Sequence, residues 1–299
     1  MNKAKCPLCH STRYIQLQVL LTSDIVDQYR NILQMEVSSY FDSDQVMVCQ
    51  CVECHVIFFV NGRPADSKFY AEIQKHPWYY EADKVEFQYA ISKITEHNPS
   101  SILEIGCGEG AFLKKIKTAY AVKAREYNES AIRKLLESGI ELDMPDDKYD
   151  FVVAFQVLEH VPDTREFLQL CIDKLNDGGH LLLTVPNQDS KFISEVFHCT
   201  DQPPHHMTRW HKRALLKLGD LFDLDVVEYY EEPMIFIHYM RLIDTRRRTL
   251  PFNGLFEGER KDDFRKIVAS IDRVMAPYFY DFANLPGHTH GVLLRKRRS

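Results

Sequence analysis

Ser101-Ile102-Leu103-Glu104-Ile105-Gly106-Cys107-Gly108-Glu109-Gly110-Ala111-Phe112-Leu113 decides the fold. Its first five residues read as a strand, three glycines follow at alternate positions, and Phe112, Leu113 and Ile116 open a helix. The same alternation continues downstream. Tyr120 to Glu126 reads as a second strand; Asn128 caps a helix carrying Ala131, Ile132, Leu135 and Leu136, which Gly139 closes. Tyr149 to Phe155 is nearly continuous apolar sequence, as in strands buried on both faces. Asp163-Thr164-Arg165-Glu166 is a capping box ahead of Phe167, Leu168, Cys171, Ile172 and Leu175. Asn176-Asp177-Gly178-Gly179 turns the chain into a strand over His180 to Val185. Ala214, Leu215, Leu218, Leu221 and Phe222 mark one more helix, and Leu224 to Tyr229 one more strand. This β-α-β succession predicts an α/β fold with an open, mostly parallel sheet covered by helices. A helical insertion is expected over 232–287, with Phe264, Ile267, Val268, Ile271 and Met275 on one face, and an edge strand over His290 to Leu294 closes the chain.

Glycines at 106, 108 and 110 let the backbone turn sharply and approach a ligand with no Cβ in the way. The loop lies at the carboxyl edge of the sheet, where ligands of open parallel sheets sit. Two cofactor classes compete for it. Gly106-x-Gly108-x-x-Ala111, with Glu126 beyond it, satisfies the relaxed dinucleotide fingerprint of an NAD-dependent oxidoreductase. A dinucleotide, however, sets its pyrophosphate on N–H groups at the helix N-terminus. Glu104 and Glu109 oppose phosphates there and suit a positively charged cofactor, such as a sulfonium carrying an ammonium group.

The segment Ile102 to Leu113 resembles the first motif of class I S-adenosylmethionine-dependent methyltransferases. The resemblance continues through Tyr149-Asp-Phe-Val-Val-Ala-Phe-Gln-Val-Leu-Glu-His-Val161 and Leu175-Asn-Asp-Gly-Gly-His-Leu-Leu-Leu-Thr-Val-Pro-Asn187, covering roughly residues 85 to 230. It implies a Rossmann-like sheet and S-adenosyl-L-methionine as cofactor. By the same resemblance, Glu104 and the backbone around Gly106, Cys107, Gly108 and Gly110 face the methionine part of the cofactor. Glu126 takes the ribose hydroxyls, Asp143 with Met144 lies by the adenine, and Gln156 lines the pocket. Methyl transfer aligns nucleophile, methyl and sulfur, and a hydroxyl or carbon acid must also lose a proton, for which histidine is the commonest side chain near neutral pH. Glu159-His160 after the fourth strand and His205-His206 in the loop after the fifth are the catalytic candidates. Each also admits a plainer reading as a loop anchor, as do Arg209 and Trp210.

Five of the eight cysteines, Cys6, Cys9, Cys49, Cys51 and Cys54, lie in the first 54 residues. In a reducing compartment such clustering reads as metal ligation before disulfides. Cys6-Pro-Leu-Cys9 and Cys51-Val-Glu-Cys54 form two C-x2-C knuckles that supply four thiolates for a structural, tetrahedral Zn2+. Cys49, His10 and His55 are near enough in sequence to compete as ligands. The expected organisation is a zinc-binding, ribbon-like domain over 1–62, a helical linker or lid over 63–98, and the methyltransferase domain over 99–299. Phe87, Ala90, Ile91 and Ile94 make one buried stripe of a linker helix, and Trp78 to Tyr80 are candidate lid residues.

The 299 residues carry a net charge of −6, and residues 1–60 hold more acidic than basic side chains, which disfavours a phosphate-binding coat. The basic runs Arg246 to Arg248 and Arg295 to Arg298 read as solvated ends. No apolar run approaches the roughly 20 residues that span a bilayer. The opening residues lack a hydrophobic signal segment, so a cytoplasmic location with no membrane partner is expected. The reading is a methyltransferase acting on a small-molecule substrate, a sugar or secondary metabolite, through O- or C-methylation. The alternatives are the dehydrogenase, a nucleic-acid or protein methyltransferase, and a non-catalytic zinc-dependent binding module.

Overall fold

A computed structural model describes residues 4–76, 78–79, 82–196, 198–249 and 282–298, apart from the side chains of 247–249 and 283. In chain order the elements begin with β1 (Tyr14–Leu21), α1 (Thr22–Leu33), β2 (Gln45–Cys51) and β3 (Ile57–Val60). Two helices follow, α2 (Ser67–Ile73) and α3 (Val85–His97). Then come β4 (Ser101–Ile105), α4 (Ala111–Ile116), β5 (Ala121–Arg125), α5 (Glu129–Glu137), β6 (Glu141–Leu142) and β7 (Tyr149–Phe155). The chain continues through α6 (Thr164–Asp173), β8 (Leu175–Pro186), α7 (Lys191–Glu195), β9 (Thr208–Arg209), α8 (Lys212–Leu216) and α9 (Leu218–Phe222). It closes with β10 (Leu224–Pro233), α10 (Phe236–Thr249) and β11 (Pro286–Lys296).

The large sheet has seven strands in the order β10-β11-β8-β7-β4-β5-β6. The pairs from β8 to β6 are parallel, whereas β11 runs antiparallel to both of its neighbours. This is the Rossmann-like arrangement expected, with flanking helices closed by caps legible in the sequence. Asn128 accepts from the amides of Ser130 and Ala131 at the start of α5, and Asp163 from that of Glu166 at the start of α6. One cluster on the α3 and α4 side gathers Phe87, Ile94, Ile102, Phe112 and Phe151; a second on the other face gathers Leu103, Ile105, Val152, Leu183 and Trp210.

The last strand corrects an expectation. β11 is not an edge: it is inserted between β8 and β10, and β10 is the edge. Val292, Leu293 and Leu294 are all buried, a run apolar on both faces, which is the pattern of an interior strand. A Cβ on Gly291 would lie 2.3 Å from the Leu183 carbonyl oxygen, so only glycine lets these strands approach. The Asn176–Gly179 segment, expected as a turn, is part of β8, and the single helix expected over 214–222 is two short ones, α8 and α9. Of the insertion over 232–287, α10 is described; Phe264, Ile267, Val268, Ile271 and Met275 lie outside the described residues.

The small sheet, β1-β2-β3-β9, is antiparallel. Its fourth strand comes from the segment after β8: Phe58 pairs with Thr208 and Ile57 with Arg209. Cys6, Leu8, Cys51, Cys54 and Phe58 share one buried cluster with Leu103, Ile105 and Trp210. The N-terminal segment is thus welded to the larger sheet's layer. Among the described residues no helix is long and apolar enough to cross a membrane.

Candidate active site

β4 delivers the chain to the glycine loop at the centre of the large sheet. The Gly106 amide donates to the Arg125 carbonyl at 2.8 Å, carrying the parallel pairing one residue beyond the strand. Gly106, Gly108 and Gly110 have φ of +73°, +52° and +76°, the left-handed region that L side chains resist. A Cβ on Gly106 would lie 2.5 Å from Val157 Cγ2 in the turn after β7. Glu126, just beyond β5, fastens the loop: its Oε2 accepts from the Gly108 amide at 2.8 Å. Its Oε1 accepts from the amides of Tyr127 and Asn128. Three of about four lone-pair positions on this carboxylate are therefore filled by backbone.

Glu104 is the exceptional charge. Its side chain is only 4% exposed, and Oε2 has no hydrogen-bond partner. Burial drives its carboxyl well above the ordinary range; Lys84 opposes the rise, while the carboxylates of Glu126 and Glu86 add to it. A buried carboxylate without a counter-charge is costly, and a cationic ligand removes that cost. Glu109 does not share this role: its carboxylate pairs with Lys134 at 2.5 Å, away from the loop's inner face. The electrostatic case against phosphates therefore rests on Glu104. Cys107 is buried against the α3 and α4 layer, which pushes its thiol pKa up.

The turn after β7 forms the facing wall. Gln156 takes φ of +54°, and its Nε2 donates to Glu86 Oε2 at 3.1 Å and lies 3.4 Å from Thr289 Oγ1. Glu86, 2% exposed in the first turn of α3, stands between this amide and Lys84, whose Nζ is 3.8 Å from it. Neither was singled out in the sequence; the available signal was a glutamate next to Phe87 on an otherwise apolar buried stripe. Gln74, just after α2, reaches the end of the loop after β5: the Asn128 side-chain amide donates to its Oε1 at 3.0 Å. Trp78 stacks on His76 and Tyr79 meets His205 edge-on, whereas Tyr80 lies outside the described residues.

Asp143, expected by the adenine, is tied into an ion-pair network. Its side chain is 1% exposed and accepts from Arg125 Nε at 2.8 Å, Lys174 Nζ at 2.9 Å and the Tyr149 hydroxyl at 2.9 Å. A carboxylate so committed braces β5, the end of β6, β7 and the junction of α6 with β8, and both of its oxygens already accept. Met144 beside it is exposed, and its carbonyl accepts from Lys174. Asp143 directly follows β6, which has only two residues.

Glu159, His160, His205 and His206 are brought together. The ring centroids of His160, His205 and His206 are 4.4, 4.7 and 4.8 Å apart. Burial pushes His160 down to about 4 and holds His205 and His206 well below the ordinary imidazole range. In each, burial favours the neutral ring. Glu159, beside them, is 1% exposed; burial raises its carboxyl to about 8, and neither oxygen has a partner.

The loop bearing His205 and His206 is held largely from the N-terminal segment. Tyr29 in α1 donates its hydroxyl to the Gln202 carbonyl at 3.1 Å, and the Ala65 amide donates to the Pro204 carbonyl at 2.9 Å. The amides of Met207 and Thr208 both donate to the Glu159 carbonyl, joining this loop to the turn after β7. Arg209 donates to the Asp201 carbonyl and lies over Phe59, and Trp210 is fully buried with its indole N–H on Thr208 Oγ1; both are anchors.

The four knuckle cysteines also converge. Cys6 Sγ is 3.4 Å from Cys54 Sγ, Cys9 Sγ is 3.4 Å from Cys51 Sγ, and all four sulfurs lie within 4.8 Å of one another. Four thiolates on a tetrahedral zinc at 2.3 Å stand about 3.8 Å apart, so the set fits that ion. Each knuckle ends on a histidine in the left-handed region, His10 at φ +59° and His55 at +65°. The Cys54 thiol and the amides of Cys9 and Leu8 pull Cys6 down toward thiolate, and the same contact pushes Cys54 up. Cys49, opposite Phe58 in the ladder, is outside the cluster, as are His10 and His55.

A family model described as a methyltransferase domain matches residues 75–229, just over half of the 299. The chain belongs to this methyltransferase-domain family. Its family segment begins in the linker that carries Gln74 to Glu86 and ends in β10, so it contains the glycine loop, Glu126, Gln156 and the histidine cluster. A probable S-adenosylmethionine-dependent methyltransferase of Mycobacterium tuberculosis is 35% identical over 98 residues, 29% of this chain and 36% of that one. A ubiquinone biosynthesis O-methyltransferase of Vibrio atlanticus is 24% identical over 155 residues, 44% of this chain and 65% of that one. Both matches span less than two thirds of the relative's length. The solved structure of an S-adenosylmethionine-dependent methyltransferase from Archaeoglobus fulgidus is 17% identical, covering 70% of this chain and 94% of that one with a TM-score of 0.44. The four knuckle cysteines precede the family segment of this methyltransferase-domain protein and are an addition to it.

Proposed function

We propose that the protein transfers a methyl group from S-adenosyl-L-methionine to a small-molecule acceptor, a sugar or secondary metabolite, at oxygen or carbon. The observation that carries this reading is Glu104, a buried carboxylate with an unpartnered oxygen beside a glycine loop. The ammonium of the methionine part offsets the cost of its buried ionised form, whereas a pyrophosphate adds to that cost. The backbone of Gly106, Cys107, Gly108 and Gly110 lets the cofactor lie close. Glu126 offers its remaining acceptor position to the ribose hydroxyls, and Gln156, held by Glu86, lines the pocket floor. When bound, the cofactor supplies a methyl activated by its sulfonium charge. The chain aligns the acceptor with it and excludes water. Glu159, His160, His205 and His206 take the acceptor side, and the family's named O-methyltransferases support an oxygen acceptor.

Zn2+ on Cys6, Cys9, Cys51 and Cys54 is structural in this reading, since four thiolates leave no open position. The ion fixes the knuckles against Arg165, which donates its amide to the Pro7 carbonyl, and through β3 it fixes β9 and the histidine loop. Incubation with S-adenosylmethionine and separate panels of nucleotide-linked sugars, phenols, peptides and oligonucleotides tests the function, with S-adenosylhomocysteine release measured by mass spectrometry. Release is expected with a hydroxyl or carbon acid from the small-molecule panels. Release with oligonucleotides or peptides alone would overturn the acceptor class.

A further inference from the structure

We propose that His160, His205 and His206 form a second metal site, which takes a divalent first-row transition cation of the zinc type. The inference goes beyond the methyl-transfer reading and stands without it. A ring nitrogen of each histidine lies within 4.8 Å of the other two, and all three side chains are buried or nearly so.

The hydrogen bonds fix which nitrogen is available. His160 Nδ1 is 2.8 Å from the His205 carbonyl oxygen and His205 Nδ1 is 3.3 Å from the Thr200 carbonyl oxygen. A carbonyl can only accept, so both Nδ1 atoms carry the proton and both Nε2 atoms present a lone pair. His206 Nδ1 stands 3.4 Å from Asp201 Oδ1, a third oxygen on the same ring position. Ring N–H groups tied to carbonyls and carboxylates in this way are what orients imidazoles as metal ligands.

Two buried groups leave polar atoms unsatisfied. His205 Nε2 has no hydrogen-bond partner, and neither has either carboxylate oxygen of Glu159. Glu159 Oε1 lies 3.8 Å from His160 Nε2, a little beyond one ligand-to-ligand spacing. Zn–N bonds of 2.0–2.1 Å place tetrahedral nitrogens about 3.4 Å apart, so small ring rotations close the set. Three neutral imidazoles beside one carboxylate suit zinc, cobalt, nickel or iron(II); an all-oxygen preference such as that of magnesium or calcium is not met. The ion joins two segments, the turn after β7 and the loop before β9, and three nitrogens leave a position for Glu159 or for an oxygen of a bound molecule.

Cobalt(II) titration of the metal-free full chain, followed by absorption spectroscopy, tests the site. Two equivalents are expected: one with intense thiolate-to-metal charge-transfer bands and one with only weak ligand-field bands. His160→Asn with His206→Asn keeps an Nδ1-like donor and removes both Nε2 atoms. This variant should lose the second equivalent and retain the thiolate bands. One equivalent in the wild type, or a second that survives in the variant, would overturn the proposal. Should the variant fail to fold, the wild type still decides: zinc addition must shift the imidazole 15N resonances of these three histidines, and unmoved resonances refute the site. S-adenosylhomocysteine affinity of the metal-free chain, measured alongside, reports separately on the methyl-transfer reading.

Discussion

Replacing Glu104 by Gln isolates the charge that selects the cofactor. The side chain is 4% exposed and has an unpartnered oxygen, so the amide fits the same space with an acceptor left in place. What is lost is the charge across a buried contact with the ammonium of the ligand. A hydrogen bond to a charged group is worth about 1.5–3 kcal/mol. A loss of about 2–3 kcal/mol weakens binding between about 30- and 160-fold. Titration calorimetry with S-adenosylhomocysteine, which keeps the ammonium group, measures it. The cofactor-free protein should respond in the opposite sense. Burial raises the Glu104 carboxyl pKa in the folded state, so its contribution to stability is full below the unfolded glutamate value, about 4.3, and is lost as pH rises through the raised value. Relative to Glu104→Gln, the cofactor-free wild type should therefore lose melting temperature as pH rises from about 4.3. Equal affinity in the two proteins, or a pH trend in Tm that the substitution leaves unchanged, refutes the role given to Glu104.

Gly106→Ala places a methyl 2.5 Å from Val157 Cγ2 at φ +73°. The left-handed backbone alone costs about 1–2 kcal/mol, and S-adenosylhomocysteine affinity should fall at least tenfold, with partial recovery in the double variant with Val157→Ala. Asp143→Ala leaves Arg125 and Lys174 without their buried carboxylate and should cost about 3–5 kcal/mol in urea denaturation. If Asp143 is a brace, ligand affinity per folded molecule stays within the tenfold that about 1.4 kcal/mol represents. Cys6→Ser with Cys54→Ser should remove the thiolate-bound zinc equivalent and lower Tm. Because β9 hangs on β3, faster hydrogen exchange at the amides of Met207 and Thr208 should accompany the loss.

Where a side chain's task was set by its neighbours in sequence, the task was legible. Asn128, Asp163 and the three glycines act within a few residues of themselves, and the apolar run Tyr149–Phe155 is the strand it resembles. The two knuckles show the same locality, each bending within five residues so that its sulfurs face one point. What was hidden depended on contacts made across the chain. Asp143 could not be read as an ion-pair brace because Lys174 is 31 residues away and meets it only once β6 and β8 are in place. Glu86 and Lys84 have no motif; they matter because α3 starts beside Gln156. β11 carries the apolar run of an interior strand in Val292, Leu293 and Leu294, but nothing local to it names β8 and β10 as its neighbours. His160 and His206 were each visible as candidates, but their meeting at 4.8 Å depends on the Met207 and Thr208 amides reaching the Glu159 carbonyl.

Titration calorimetry of the wild-type full chain with S-adenosylhomocysteine, and separately with NAD+, bears most directly on the cofactor class. Glu104 beside the glycine loop predicts S-adenosylhomocysteine binding at one per chain and no heat of binding with NAD+. Saturable NAD+ binding with no S-adenosylhomocysteine binding would contradict it.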